Sequence, residues 1–138
     1  MRGLYTAMLA SLCSGCFEAE VLYEVELTGE ISSDKEGPIE VWLMHRDWGD
    51  GVLKTPYQLF DQFDLEAPGS FSETFLVPLQ TGSGLSIYGW QDVNGDGEHC
   101  RPGSEEEPSG IVHPDEFPQH QIAIDLVLDT PCKGPEAL

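Results

Sequence analysis

Apolar and polar residues alternate with a period of two along most of this chain, and this alternation predicts β-strands. It is clearest near the C-terminus, where Ile122, Ile124, Leu126 and Leu128 are separated by single residues. Other segments show a shorter alternation or a run rich in β-branched and aromatic residues. The predicted strands are 21–28, 39–44, 58–64, 71–77, 85–90, 110–112 and 122–128.

Between these strands lie turns rich in glycine, proline and small polar residues, at 32–38, 67–70 and 80–84. Fifteen glycines and ten prolines favour short strands and many turns over a helical bundle. No segment shows the apolar spacing of a long amphipathic helix. About seven short strands predict an all-β fold, a single antiparallel β-sandwich over residues 21–132 with a C-terminal tail at 133–138.

One loop carries candidate chemistry. After the strand at 85–90 the chain reads Asp92-Val93-Asn94-Gly95-Asp96-Gly97-Glu98. Side-chain oxygens at alternate positions converge if the backbone curls, and Gly97 stands where a sharp turn favours a residue without a Cβ. Calcium takes six to eight oxygen ligands, so this loop predicts a calcium site.

The ligand set follows the first half of an EF-hand loop, D-x-N-x-D-G. Asp92, Asn94 and Asp96 would donate side-chain oxygens, and Glu98 a backbone carbonyl. The twelfth position is Gly103, where an EF-hand has a bidentate glutamate. One acid of the run 105–107 would close the shell instead, and we assign Glu107.

The alternative for this loop is an Asn-Gly and Asp-Gly turn whose acids are merely solvated, since these residues favour turns for backbone reasons. No helix follows the loop, because Pro102 and Gly103 interrupt the chain. A strand-loop site that stabilises a β-domain is therefore expected, and a helix-loop-helix switch is not.

The first sixteen residues have the composition of a targeting segment. Arg2 precedes a short apolar run at 4–12, which is far below the roughly 20 residues that span a bilayer. Small residues then lead into Cys16. This pattern resembles the lipobox of bacterial lipoproteins, although Cys13 stands where that family prefers leucine.

The resemblance implies a signal peptide at 1–15, a lipid-anchored Cys16, a short tether at 16–20 and a place in the bacterial cell envelope, at the outer membrane or cell surface. The alternative is an ordinary secretory signal cleaved nearby. Both imply export. In an oxidising compartment Cys100 and Cys132 then form an even pair that predicts a disulfide, the alternative being two free buried thiols.

The net charge of the chain limits which classes of partner it can bind. The formal net charge is −19 and the pI is about 4.1, which excludes the basic face that nucleic-acid binding requires. Acidity raises the local cation concentration and keeps an exported domain soluble. We expect a monomer whose membrane contact is the lipid anchor, with any glycan or protein ligand left unidentified.

No sequence pattern for an enzyme is present. His45, His99, His113 and His120 lack metalloprotease spacing, and no nucleophile elbow or phosphate-binding loop occurs. We therefore expect a non-catalytic surface, adhesive or scaffold module. The alternative is a carbohydrate-binding module that uses exposed tryptophans among Trp42, Trp48 and Trp90, although aromatic residues of a sandwich usually pack in its core.

Three segments carry a second resemblance. They are Leu27-Thr28-Gly29-Glu30-Ile31, then Pro68-Gly69-Ser70-Phe71, then Ile87-Tyr88-Gly89-Trp90-Gln91-Asp92 running into the acidic loop. Together they resemble the prealbumin-like (transthyretin-like) sandwich modules of bacterial surface proteins. The resemblance implies a prealbumin-like or Ig-like sandwich in which a calcium-type loop follows the last of these strands.

Overall fold

The computed structural model of this chain describes residues 22–47, 54–78, 83–101, 106–115 and 117–138. The strands in these segments are β1 (Leu22–Ser33), β2 (Ile39–Asp47), β3 (Lys54–Leu65), β4 (Gly69–Pro78), β5 (Ser83–Gln91), β6 (Pro108–Val112), β7 (Gln121–Leu128) and β8 (Thr130–Pro131). A 3₁₀ turn, Pro135–Ala137, lies near the C-terminus. Within these segments no helix has the length and apolar character needed to cross a membrane.

Two sheets form a β-sandwich. Sheet I has the strand order β4-β1-β7, and sheet II has the order β3-β2-β5-β6-β8. The fold is therefore all-β, as the alternation predicts. All seven predicted strands are present, several of them longer than expected, and the two-residue strand β8 is an addition.

Alternation places one face of each sheet in a shared core. Strand β7 shows the pattern without interruption, with every second residue buried from Ile122 to Leu128. Its partners in the core come from both sheets, and they include Leu27 and Ile31 of β1 and Val41 and Leu43 of β2. Burial of these apolar side chains is the main term that holds the two sheets together.

One pairing corrects the expectation of a wholly antiparallel sandwich. Strands β1 and β7 run parallel, from Glu26 opposite Gln121 to Ser33 opposite Leu128. Their backbones approach closely at Gly29, where an added Cβ would lie 1.9 Å from the carbonyl oxygen of Ile124. Strand direction cannot be seen in a period-two pattern, because alternation is the same for both directions.

Strand β6 has a neighbour on each side in sheet II. It pairs with β5 on one side and, through Pro108 and Ser109, with β8 on the other. The β5–β6 register runs from Ile87 opposite Val112 to Trp90 opposite Ser109. This register positions the two ends of the acidic loop.

The outer face of sheet II is also apolar. Met44, Tyr88 and Trp90 are buried there, with partly buried Trp42, Tyr57 and Ile111 around them. We call these six residues the outer cluster. The segment at 133–138, expected to be a tail beyond the domain, lies against it: Tyr88 Oη donates to the carbonyl of Lys133 at 2.6 Å, and Pro135 is buried.

Candidate functional site

The acidic loop leaves sheet II at the end of β5, and a buried glutamine anchors it. Gln91 is fully buried, and its Nε2 donates to the carbonyls of Lys35 and Gly37 at 3.2 and 3.0 Å. Its Oε1 accepts from Ser33 Oγ at 2.6 Å. The next residue, Asp92, donates its backbone N–H to the carbonyl of Pro38 at 3.0 Å. The start of the loop is thus fixed to the β1–β2 turn.

The loop curls around the carboxylate of Asp92. Asp92 Oδ1 accepts the backbone N–H groups of Gly95 and Asp96, at 2.8 and 3.2 Å, and Oδ2 accepts that of Gly97 at 2.8 Å. Gly95 and Gly97 have φ values of 73° and 70°, which glycine adopts without steric cost. The curl follows from the residue types, since short acidic side chains cap turns of their own backbone.

Two further side chains continue this pattern. Asn94 Oδ1 accepts the N–H of Asp96 at 2.9 Å, and Asp96 Oδ1 accepts that of Glu98 at 2.8 Å. Asn94 Nδ2 also donates to Asp96 Oδ2 at 3.1 Å. Side-chain oxygens of Asp92, Asn94 and Asp96 therefore accept backbone N–H groups within residues 95–98.

Three acids come together at this curl. One carboxylate oxygen from each of Asp92, Asp96 and Glu107 lies within 4.8 Å of the other two. Asp96 is exposed and Asp92 is partly buried, whereas Glu107 is only 1% exposed. Glu107 approaches the loop because β5 and β6 pair up to Trp90 and Ser109, which stand two residues from Asp92 and from Glu107. A simple solvated turn at 92–97 would not require a buried acid from the residue that precedes β6.

The remaining sequence-predicted ligands are less involved. The side chain of Glu98 is exposed and forms an ion pair with Arg101, at 3.3 Å between Oε2 and Nε. Glu98 was expected to contribute its backbone carbonyl. The ion pair uses only the side chain and does not involve that carbonyl. Glu106 is exposed and is not in the group, and Glu105 lies outside the described residues.

The far end of the loop is joined to the C-terminal segment. Cys100 and Cys132 form a disulfide, as the cysteine count predicts. His99 Nε2 also lies near this pair, 3.3 Å from Cys100 Sγ. Because both sulfurs are consumed in the bond, this histidine and these cysteines do not form a thiolate metal site. Cys13 and Cys16, with the predicted signal peptide, lie outside the described residues.

His99 is part of the cover over the outer cluster. Its ring is partly buried, with its centroid 4.6 Å from that of Trp42 and 5.2 Å from that of Trp90. Its Nε2 is 2.6 Å from Tyr88 Oη, and the single hydroxyl proton goes to Lys133. Nε2 must therefore carry the proton in this bond. Burial lowers the pKa of His99 and raises the pKa of Tyr88, so both are neutral near pH 7.

The burial of the tryptophan side chains is relevant to the alternative of a carbohydrate-binding module. Trp90 is 2% exposed and offers no face for stacking on a sugar. Trp42 is partly buried, and its indole N–H donates to Glu40 Oε1. Trp48 lies outside the described residues. Of the two described tryptophans, only Trp42 keeps exposed ring surface.

A serine and a histidine meet elsewhere on sheet II. Ser86 Oγ is 2.9 Å from His113 Nδ1, and burial lowers the pKa of this histidine. Ser86 is fully buried, however, so a substrate has no access to its hydroxyl. This pair is a packing hydrogen bond between a fully buried hydroxyl and a partly buried imidazole.

Sequence reasoning missed Gln91 and the outer cluster. Gln91 follows the predicted strand at 85–90 and had no role assigned to it beyond its place in the third segment of the prealbumin-like resemblance. The outer cluster had one signal, because Trp42 on β2 and Trp90 on β5 both fall on the face opposite the core alternation. Comparison of the chain with protein-family models, with curated proteins and with solved structures finds no match.

Proposed function

We propose that this chain is an exported, lipid-anchored β-sandwich module whose acidic loop binds calcium as a structural ion, and that it serves a non-catalytic surface, adhesive or scaffold role. The observation that carries the proposal is the convergence of Asp92, Asp96 and Glu107. Two of these acids come from the motif, and the third, Glu107, directly precedes β6.

The spacing of the oxygens suits calcium. Calcium–oxygen distances are about 2.3–2.6 Å, so two ligands of one ion lie at most about 5 Å apart. The three carboxylate oxygens, mutually within 4.8 Å, meet this limit. At neutral pH three carboxylates this close repel one another, and a divalent cation among them turns this repulsion into attraction. The net charge of −19 further concentrates cations at the surface.

A structural role follows from what the loop connects. Calcium at this position would join the end of β5 to the start of β6. Gln91 already ties the same loop to the β1–β2 turn, and the disulfide ties it to residue 132. Because no helix flanks the loop on its described sides, binding would stiffen one end of the sandwich without opening a groove. A ligand present at 100 times its Kd adds about 2.7 kcal/mol to the free energy of unfolding.

Export and anchoring are proposed from the sequence alone. The lipobox-like segment ends at Cys16, and β1 begins at Leu22. The domain would therefore sit close to the membrane to which a lipidated Cys16 is attached. The two-sheet architecture supports the prealbumin-like resemblance in its coarse form, and we propose the finer family relationship on the three quoted segments.

Thermal unfolding with calcium and with chelator tests the site. We expect a higher Tm with calcium in the wild-type protein and no calcium-dependent difference in Asp96→Ala. Asp125→Asn is the matched control, because Asp125 is an exposed acid on β7 of sheet I. The control should keep the full calcium effect. Equal wild-type midpoints with calcium and with chelator would remove the calcium proposal.

The anchor needs a separate measurement. Intact mass of the protein extracted from membranes reports signal cleavage, lipid on Cys16 and the disulfide together. We expect a chain that begins at Cys16 and carries acyl groups. A mass matching an unmodified cleaved chain would favour the ordinary secretory signal and leave the calcium proposal untouched.

A further inference from the structure

A small cleft of about 310 Å³ lies on the outer face of sheet II, away from the acidic loop's carboxylates. Its walls include Trp42 and Met44 from β2, Tyr57 and Leu59 from β3, and the C-terminal turn at Pro135 and Glu136. This volume is at the lower end of the range for small-molecule sites. The lining is mainly aromatic and aliphatic, so the cleft suits a compact ligand.

The fold holds the aromatic walls in place. Trp42 packs against Tyr88 and His99, with ring centroids 5.1 and 4.6 Å away, and its indole N–H donates to the carboxylate of Glu40. A carboxylate on the N–H edge pushes electron density into the indole and makes its face more negative. Trp42 is therefore a stronger partner for a positive charge than an isolated indole would be.

The charges around the cleft favour a cation. Glu136 is the only acid or base with a full charge among the described lining residues, and it is exposed. Burial is the main cause that raises the pKa of the Tyr57 hydroxyl, and the charge of Glu136 raises it further. Arg46 acts on Tyr57 in the opposite sense and more strongly than Glu136, but it is buried and does not line the cleft.

We propose that this cleft binds a small soluble compound with a quaternary ammonium group, held by cation–π contact with Trp42 and Tyr57 and by the charge of Glu136. Such cations are recognised by aromatic faces because their own charge cannot donate hydrogen bonds. A sugar fits less well. Sugar recognition needs several polar groups, and the indole N–H of Trp42 is already used by Glu40.

Titration with choline tests the proposal, with 3,3-dimethylbutan-1-ol as the neutral compound of the same shape. Binding is followed by the NMR signals of Trp42 and Tyr57, in chelator, so that the result does not depend on calcium. We expect choline to bind about tenfold more tightly than the neutral compound, in line with a partly desolvated cation–π contact. Equal affinities, or no response to choline, would overturn the proposal.

Variants locate the effect. Trp42→Ala should abolish the preference for choline, whereas Leu76→Ala, which alters an exposed leucine of sheet I, should keep it. Glu136→Gln should weaken choline binding about threefold and leave the neutral compound unchanged, as expected for an exposed charge. Since Glu136 is exposed, this variant decides the question even if Trp42→Ala does not fold. Choline affinity unchanged in Glu136→Gln would contradict the assigned counter-charge.

Discussion

Glu107 lies close to Asp92 although fourteen residues separate them, because β5 and β6 pair antiparallel up to Trp90 and Ser109, each two residues away from one of the two acids. The buried end of the site is therefore set by strand pairing, and the exposed end by the turn around Asp92. The buried end and the exposed end of the site depend on different interactions. Substitutions can therefore alter the two ends separately.

The neighbouring glutamates 106 and 107 provide a matched pair for calcium binding. Glu107→Gln removes a buried carboxylate from the converging group, whereas Glu106→Gln changes an exposed one outside it. Because affinity follows the number of charged ligands, we expect Glu107→Gln to weaken calcium binding by about tenfold or more. Glu106→Gln should bind as the wild type does.

Calorimetric titration of the two variants measures this difference. Both substitutions remove one formal charge, so a general loss of acidity would weaken them equally. Equal affinities would thus show that Glu107 is not a ligand, even if the loop itself binds calcium.

The disulfide between Cys100 and Cys132 should contribute substantially to stability. It closes a segment with a sequence separation of 32 residues. In the chain-entropy account, a loop of this size adds about 3–4 kcal/mol to the free energy of unfolding. Urea unfolding of the double variant Cys100→Ser, Cys132→Ser, compared with the oxidised wild type, measures the loss.

The same variant reports on the cover over sheet II. His99 and Lys133 flank the two cysteines and contact Tyr88. Losing the bond should speed amide exchange in residues 133–138 more than in β7, which is held by the core. A uniform change across both segments would show that the disulfide does not act locally on this cover.

Stability should fall as the medium becomes mildly acidic, because of His113. Burial lowers its pKa, the charge of Arg46 lowers it further, and Asp115 acts in the opposite direction. The unfolded chain, with a histidine pKa near 6.5, then takes up a proton more readily than the folded one. The stabilisation is therefore complete above about pH 6.5 and is lost as the pH falls toward the folded-state pKa.

Urea unfolding in chelator at several pH values between about 7.5 and 5.5 measures this slope, which is at most about 1.4 kcal/mol per pH unit for each histidine. His113→Gln should reduce the slope. His99, whose pKa is also lowered by burial, contributes to the slope of stability against pH with the same sign. A slope unchanged in His113→Gln would show that this imidazole titrates alike in the folded and unfolded states.

The strands were predictable because a half-buried strand has an apolar residue at every second position, as at Ile122 and Ile124. The curl at 92–97 was predictable for a similar reason, since Asp, Asn and Gly act on their own backbone. Long-range pairing leaves no such local trace. The assignment of Glu107 among three neighbouring acids had no local sequence pattern to support it, and the parallel β1–β7 pair depends on the arrangement of the whole sheet.

The parallel pair itself can be tested at Gly29. A Cβ at this position would meet the carbonyl oxygen of Ile124 at 1.9 Å and its carbonyl carbon at 2.9 Å, so the two backbones would have to separate. Overpacking of this kind costs about 3 kcal/mol, and we expect Gly29→Ala to lower the free energy of unfolding by about that amount. Gly134→Ala is the control, because nothing lies within 4 Å of its Cβ and its φ is −64°. Urea unfolding should show the control within about 0.5 kcal/mol of wild type. If both variants were equally stable, β1 and β7 would not approach as closely as the register between Gly29 and Ile124 requires.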